Sequence, residues 1–143
     1  MQHRWEVLLA TDDHLSVRDT VRRLLPGAAA VEAEVRAETF DLSIGLPLRI
    51  EDLFDPETGW LGALSAAAVE RLADQPWTDE RRVEGAGPES ENFSRFNLTP
   101  GGLVLAFAPG SIGGSGSHTV STGEKCSCKH AGDKTVCAGH DCR

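Results

Sequence analysis

Alternating apolar and polar positions predict β-strands in the first third of the chain. Residues 29–42 place Val and Ala at odd positions and Glu and Arg at even positions, a period of two that is typical of a strand with one buried face. Because Ala is a poor strand former, a helix over 28–38 is the competing interpretation, and the alternation favours the strand. Residues 5–11 predict a second short strand, whereas residues 15–25 fit neither period.

Residues 92–107 carry the clearest pattern, which predicts an antiparallel hairpin. Residues 92–98 alternate, and residues 103–107 are almost continuously apolar, which indicates burial on both faces. Between them, Thr99-Pro100-Gly101-Gly102 is typical of a tight turn that uses glycine at positive φ. A further short strand is predicted at residues 118–120.

One helix is predicted between these strands, over residues 66–75. Ser65 is its predicted N-cap, because a serine hydroxyl can accept from the first helical N–H groups, and Pro76 ends it. The apolar stripe of this helix consists of Ala68, Val69, Leu72 and Ala73. Residues 78–91 are polar and contain Gly and Pro, so they are predicted to be a mobile connection. Together the elements predict an α+β fold, in which a small antiparallel sheet packs with one or two helices.

Length and charge exclude several classes of function. A chain of 143 residues is long enough for one modest core. The net charge of -8 argues against a nucleic-acid partner, which needs clustered Lys and Arg, and against an anionic membrane surface. No apolar run has the length of a transmembrane helix, and the first residues lack the apolar stretch of a signal peptide. The sequence therefore predicts no membrane insertion by this chain and leaves its compartment open.

A change in composition divides the chain near residue 120. All 4 cysteines lie after residue 125, behind a stretch that is rich in Gly and Ser. We therefore expect a compact domain over residues 4–120. Residues 121–143 are expected to form a Gly/Ser linker and a flexible Cys/His-rich tail.

The tail is a candidate zinc site, because thiolate and imidazole are ligands that suit this metal. The candidate ligands are Cys126, Cys128, His130, Cys137, His140 and Cys142. Cys137-x-x-His140 has usable spacing, whereas Cys126-x-Cys128 is tighter than a usual zinc knuckle. Two alternatives stand beside the metal, namely disulfide pairs in an exported protein and a replaced or frame-shifted end without function. No other cofactor is expected.

An acidic loop in the middle of the chain is a candidate partner surface. Residues 46–50, which Pro47 restricts to an edge strand or a connector, lead into the acidic residues 51–59. The spacing is not that of an EF-hand, so a solvated turn is the simplest interpretation, and a face for a basic partner is the functional one. The candidate surface residues are Glu51, Asp52, Asp55, Glu57 and Trp60.

The sequence contains none of the common catalytic motifs. It has no nucleophile elbow, no His-Glu-x-x-His motif, no phosphate-binding loop and no dinucleotide fingerprint. His3, His14 and His118 are isolated in the sequence. We therefore expect a protein without enzymatic activity.

Two blocks of residues resemble a known domain. The first block consists of Phe40-Asp41-Leu42, Gly45, Leu48 and Leu53-Phe54, followed by Leu64-Ser65. The second block consists of Asn92-Phe93, Phe96, Leu98-Thr99, Gly102-Leu103-Val104, Phe107 and Pro109. In order and spacing they resemble the RsiV-type C-terminal domain, which occurs in lysozyme-binding anti-sigma factors, in bacterial lipoproteins and in a secreted mycobacterial antigen. The resemblance covers about residues 5–120.

The resemblance implies a non-enzymatic α+β domain that is exported and binds a protein or cell-envelope ligand. The chain differs from relatives in three ways. It has no histidine at residues 27–30, it has Gly110 where relatives often have Tyr, and it has the Cys tail in place of a final strand or helix. These differences also allow a truncated domain. Turn chemistry and acidity, not the resemblance, indicate loops 51–61 and 109–116 as the recognition surface. The alternative function is a metal- or thiol-binding module in the tail.

Overall fold

Strands dominate the part of the chain that the structure describes, and they form three antiparallel sheets. The structure is a computed structural model, and it describes residues 1–24, 26–27, 31–73, 75 and 84–112 together with the backbone of residues 118–121, 128–131 and 134–137. The α-helix Trp60–Ala73 accompanies these sheets, so the α+β class predicted from the sequence is confirmed.

The first sheet has four strands, which lie next to each other in chain order. They are β1 (Gln2–Ala10), β2 (His14–Leu24), β3 (Val31–Asp41) and β4 (Leu46–Pro47). β3 confirms the alternation, because Val35 and Thr39 are buried while Glu32 and Arg36 on the other parity are exposed. Pro47 lies in the short edge strand, as its missing N–H predicts.

β2 is a regular strand although its sequence shows no clear period. Ser16 and Asp19 lie on opposite faces of this strand, and both are buried. Ser16 pairs with Thr39 of β3 across the sheet, so polar side chains occupy positions where an apolar residue is usual. Because polar residues are buried on both faces, the sequence of β2 shows no alternation of apolar and polar residues.

The turn between β3 and β4 is built on Asp41. The backbone N–H and the hydroxyl of Ser43 donate to Asp41 Oδ1 at 2.9 and 2.6 Å, and Gly45 takes a positive φ of 71°. The hydrogen bond from the Ser43 hydroxyl, more than any other contact, holds the pKa of the Asp41 carboxyl below its ordinary value.

The helix α1 (Trp60–Ala73) begins earlier than the sequence predicts. Gly59 has a positive φ of 66° at the end of a 3₁₀ turn, so the chain changes direction at Gly59 and not at Ser65. Ser65 lies buried inside the helix, where its hydroxyl donates to the Ala86 carbonyl, and the predicted N-cap is therefore wrong. Ala73, assigned to the apolar stripe, is exposed. No helix among the described residues is long and apolar enough to cross a membrane.

The second sheet contains the predicted hairpin. It consists of β5 (Phe96–Thr99), β6 (Gly102–Phe107) and β7 (His118–Ser121) in that order. Thr99 pairs with Gly102, which leaves Pro100 and Gly101 as a two-residue loop, so the predicted hairpin and its turn are confirmed. Its first strand begins at Phe96 and not at residue 92, because residues 90–93 form a 3₁₀ turn. β7 confirms the predicted short strand. In the tail, the backbone of β8 (Cys128–Ala131) pairs with that of β9 (Lys134–Cys137) as a third sheet.

One cluster of buried apolar side chains joins α1, the second sheet and the nearby turns. Its largest fully buried members are Leu53, Leu72, Phe93, Leu105, Phe107 and Ile112. The Phe93 ring meets the Phe107 ring edge-on, with centroids 6.3 Å apart. Ala86 belongs to this cluster and anchors residues 84–91 of the predicted mobile connection to the core, while Glu84, Glu89 and Glu91 are exposed. Residues 78–83 of that connection lie outside the described residues.

A buried polar network joins the first sheet to the second. The Asn97 amide of β5 donates to Ser16 Oγ at 3.0 Å and to the Val17 carbonyl at 2.8 Å. The Leu98 N–H also donates to Ser16 Oγ, at 3.0 Å. Because these two donors occupy both lone pairs of the Ser16 hydroxyl, its own proton goes to Thr39 Oγ1 at 2.8 Å. Asn97 and Ser16 are fully buried, so no water replaces these hydrogen bonds.

Arg18 extends this network toward β1. Its Nε donates to Asn97 Oδ1 at 3.3 Å. Burial lowers the pKa of Arg18, and the carboxylate of Glu6, opposite it in β1, raises that pKa in part. The Asn97 side chain thus has a partner for its oxygen as well as for its nitrogen.

We expect Ser16→Ala to lower the free energy of unfolding by about 2–4 kcal/mol, because it leaves the Leu98 N–H and one Asn97 proton buried without an acceptor. Urea unfolding followed by circular dichroism measures this loss. Ser94→Ala is the matched control, because its exposed hydroxyl donates only to the Glu91 carbonyl. Equal losses in the two variants would contradict a special role for the buried network.

We expect Ser43→Ala to raise the pKa of Asp41 toward the ordinary aspartate value of about 3.9, and a carboxyl-detected NMR titration measures it. A lowered pKa means that the turn gains stability above the ordinary pKa and loses it as pH falls through the lowered one. The shift is partial, since the Ser43 N–H remains. An unchanged Asp41 pKa in this variant would show that the hydroxyl is not the cause.

Candidate binding groove

Two of the predicted surface carboxylates serve the local structure of the chain. The Asp52 carboxylate accepts from the Arg49 N–H at 2.8 Å, at the start of the 3₁₀ turn Ile50–Leu53. The Asp55 carboxylate accepts from the Glu57 N–H at 2.9 Å, at the start of the 3₁₀ turn Pro56–Thr58. Short acidic side chains are common at such positions because they satisfy N–H groups that have no partner in the turn. Asp52 and Asp55 therefore have a structural role, and their charges do not by themselves indicate a binding surface.

Trp60 is half-buried and stacks on Phe54. Their ring centroids are 4.8 Å apart, with an angle of 3° between the ring planes. Phe54 packs against the core next to the buried Leu53, so the stack fixes the start of α1 against the 3₁₀ turns. One face of the indole is thus occupied by Phe54.

The other two predicted acidic residues, Glu51 and Glu57, hold no backbone N–H group among the described hydrogen bonds and can contact a partner. Glu57 is exposed, and Glu51 lies 3.7 Å from the guanidinium of Arg49, with the Arg49 side chain 75% and the Glu51 side chain 38% exposed. An exposed pair at this distance contributes little to stability and can exchange its partner. Of the five predicted surface residues, Glu51 alone lines a cavity among those described for this chain.

Two adjoining cavities lie beside Glu51. The first has a volume of about 250 Å³, and its polar lining consists of Arg49, Glu51, Ser90, Glu91 and Ser94. The second has a volume of about 170 Å³, and its polar lining consists of Glu91, Asn92, Ser94, Arg95 and Ser111. Because Glu91 and Ser94 line both cavities, we treat them as one surface and call it the Glu91 groove.

The floor of the Glu91 groove is held by the turn Ser90–Phe93. Phe93 is fully buried, the Asn92 amide donates to the Gly87 carbonyl at 3.1 Å, and the Ser94 hydroxyl donates to the Glu91 carbonyl at 2.9 Å. These bonds leave the Glu91 carboxylate exposed at the mouth. The groove therefore presents carboxylates on a rigid backbone.

Arg95 connects the far end of the groove to the first sheet. Its guanidinium lies 3.8 Å from the Glu34 carboxylate of β3, which is also 3.7 Å from both Arg23 and Arg36. Its carbonyl accepts from the Ala106 N–H at 2.8 Å, beside the start of β5. The groove thus carries two carboxylates, Glu51 and Glu91, between two guanidiniums.

Sequence reasoning missed most of the groove. Ser90 and Glu91 fell in a predicted connection, and Arg95 fell in a predicted strand, so no motif marked them. In the second predicted loop, Ser111 lines the groove, whereas residues 113–116 lie outside the described residues. The sequence also gave no sign of the pair between His3 and Asp19, whose Nδ1 and Oδ2 atoms are 2.9 Å apart although Asp19 is only 2% exposed.

The side chains of the predicted metal ligands in the tail are not among those that the structure describes. Cys126, His140 and Cys142 lie outside the described residues, and Cys128, His130 and Cys137 are described only as strand backbone. Among the residues whose side chains are described, no group of three or more His, Cys, Asp or Glu has the arrangement of a metal site. The zinc and disulfide alternatives therefore stay predictions.

Gly85 closes one side of the groove and leaves no room for a side chain. A Cβ there would overlap the Ser111 carbonyl and press on Ile112. We expect Gly85→Ala to destabilise the protein by about 1–3 kcal/mol, the usual effect of overpacking. Gly62→Ala is the matched control, since a Cβ at Gly62 in α1 meets nothing within 4 Å, and it should stabilise by up to about 1 kcal/mol. Thermal unfolding measures both, and a neutral Gly85→Ala would contradict the close approach.

Comparisons with known proteins agree with this architecture. Residues 51–120 match the model of a family described as "Protein of unknown function (DUF3298)". The crystal structure of a DUF3298 family protein from Pseudomonas aeruginosa PAO1 has a similar fold, with a TM-score of 0.54 and 13% sequence identity. The similarity covers 85% of this chain and 56% of that protein. No curated protein matches the sequence. The matched residues 51–120 include α1, the β5–β6 hairpin and nearly all of the Glu91 groove, so the similarity to the DUF3298 family lies in the part of the chain that forms the groove.

Proposed function

We propose that this protein is a non-enzymatic binding domain that acts outside the cytoplasmic membrane and recognises a protein of the cell envelope. The observation that carries the proposal is the Glu91 groove, which is lined by Glu51 from the turn Ile50–Leu53 and by Glu91 from the turn Ser90–Phe93. The DUF3298 match is consistent with the RsiV-type resemblance, and that resemblance supports the location and the binding role.

The lining of the groove favours a macromolecular partner. It consists mainly of polar and charged residues, whereas enclosed sites for small molecules are usually mainly apolar. A shallow, charged groove fits one or two side chains on the surface of a partner. Binding of this kind requires no reacting group in the groove.

The charge of the chain favours a basic partner. The net charge is -8, so the long-range field attracts cations. In the groove, a basic side chain of the partner can replace Arg49 beside Glu51, since that ion pair is 3.7 Å long and exposed. The partner surface therefore presents Lys or Arg next to a small polar loop.

We expect the double variant Glu51→Gln, Glu91→Gln to bind a basic envelope protein about fivefold more weakly, since exposed ion pairs contribute up to about 1 kcal/mol. The probes are hen egg-white lysozyme and the cationic fraction of a bacterial envelope extract, passed over the immobilised protein. The matched control is Glu38→Gln, Glu70→Gln, which removes two exposed charges away from the groove.

Two results would contradict the proposal. Equal weakening in both double variants would mean that net charge, not the groove, attracts the partner. If the unsubstituted protein bound neither probe, the proposal of a basic envelope partner would be wrong.

A further inference from the structure

Strand β1 is an edge strand whose outer side has no partner strand in the part of the chain that the structure describes. It is 9 residues long and pairs with β2 alone. From Gln2 to Val7 it contains no Pro, Gly or Lys, and its bulge lies only beyond Val7. Edge strands usually carry Pro, charged side chains or a bulge, because free N–H and C=O groups otherwise pair with another strand. The charges of this segment, Arg4 and Glu6, have opposite signs, so they do not repel a strand that carries the complementary order. The segment Gln2–Val7 is therefore open to strand addition.

Two large apolar side chains stand on one face of this segment. Trp5 and Val7 have the same parity, and they are 68% and 64% exposed. Added strands gain affinity from main-chain hydrogen bonds and gain specificity from side chains that alternate along the edge. An added strand that presents apolar residues at matching positions would cover both side chains.

The charges on either side of Trp5 match those of a second copy of the same strand in antiparallel orientation. Arg4 precedes Trp5 and Glu6 follows it, and their side chains lie 3.0 Å apart within the strand. If a second copy pairs in antiparallel orientation about Trp5, Arg4 faces Glu6 of the partner subunit, and the reverse pair forms by symmetry. Opposite charges across an antiparallel pair are stabilising, whereas like charges are destabilising. Parallel pairing in register would instead place like charges together.

We propose that the outer edge of β1 is a self-association site, on which a second copy of this chain adds its own β1 in antiparallel orientation about Trp5. The exposed indole then packs against Trp5 of the partner subunit, and the two first sheets become one. Because only Gln2–Leu8 takes part, the interface is smaller than the roughly 1,200 Å² of stable complexes, so dimers form at high protein concentration. No residue of the Glu91 groove is involved.

Sedimentation equilibrium over a concentration series of the whole chain tests the proposal. Arg4→Glu is the primary variant, because Arg4 pairs with the neutral Thr20 inside the sheet. We expect it to weaken self-association by about tenfold or more, since two attractive cross-strand pairs become two repulsive ones. Glu6→Arg should have the same effect, although it also faces Arg18, so its folding is checked by circular dichroism.

Three further samples distinguish the proposed strand pairing from a general effect of net charge. The double variant Arg4→Glu, Glu6→Arg restores the complementary order and should again self-associate. An equimolar mixture of the two single variants should form a mixed dimer. Glu70→Arg, a charge reversal on the exposed face of α1, should leave association unchanged. A chain that stays monomeric at every concentration would overturn the proposal, as would a dimer that is indifferent to Arg4→Glu or a double variant that does not recover.

Discussion

The relation between the two large sheets depends on the hydrogen bonds between Asn97 and Ser16. These residues are separated by 81 positions in the chain, and both are fully buried where β5 crosses the first sheet. Apolar contacts alone would tolerate small shifts of one sheet over the other, whereas a network in which every donor and acceptor is used allows one arrangement. The distance from Arg95, just before β5, to Glu34 of β3 follows from that arrangement. The position of Arg95 in the Glu91 groove therefore depends on the hydrogen bonds between Asn97 and Ser16, which lie outside the groove.

The carboxylates of the acidic loop and of the Glu91 groove divide into two groups with different roles. Asp52 and Asp55 accept backbone N–H groups and hold two 3₁₀ turns, while Glu51 and Glu91 point into a groove without such partners among the described hydrogen bonds. Side-chain length accounts for this division, because an aspartate reaches its neighbouring backbone easily and a glutamate extends beyond it. A surface can therefore be acidic for structural reasons at some positions and offer charge to a partner at others.

Elements with a clear apolar pattern could be predicted from the sequence, and β2, which buries polar groups on both faces, could not. β3 alternates and β6 is an apolar run, although β3 buries Thr39 and β5 buries Asn97. By contrast, β2 buries Ser16 and Asp19 and shows no period. The start of α1 was misplaced because Ser65 resembles a cap, although its hydroxyl serves the Ala86 carbonyl instead. For the groove, the predicted loops contained Glu51 and Ser111, and no motif marked the remaining polar residues. The two blocks that resemble the RsiV-type domain lie largely within residues 51–120, which match the DUF3298 family model.

The two edges of the first sheet differ in their capacity to extend it. β1 offers a long regular edge, whereas β4 at the opposite side is 2 residues long and includes Pro47, which has no N–H to donate. On that side, β4 pairs only with Phe40 and Asp41 of β3. A strand added to β4 would find few backbone groups and no N–H at Pro47, so growth of the sheet by strand addition is favoured at β1 over β4.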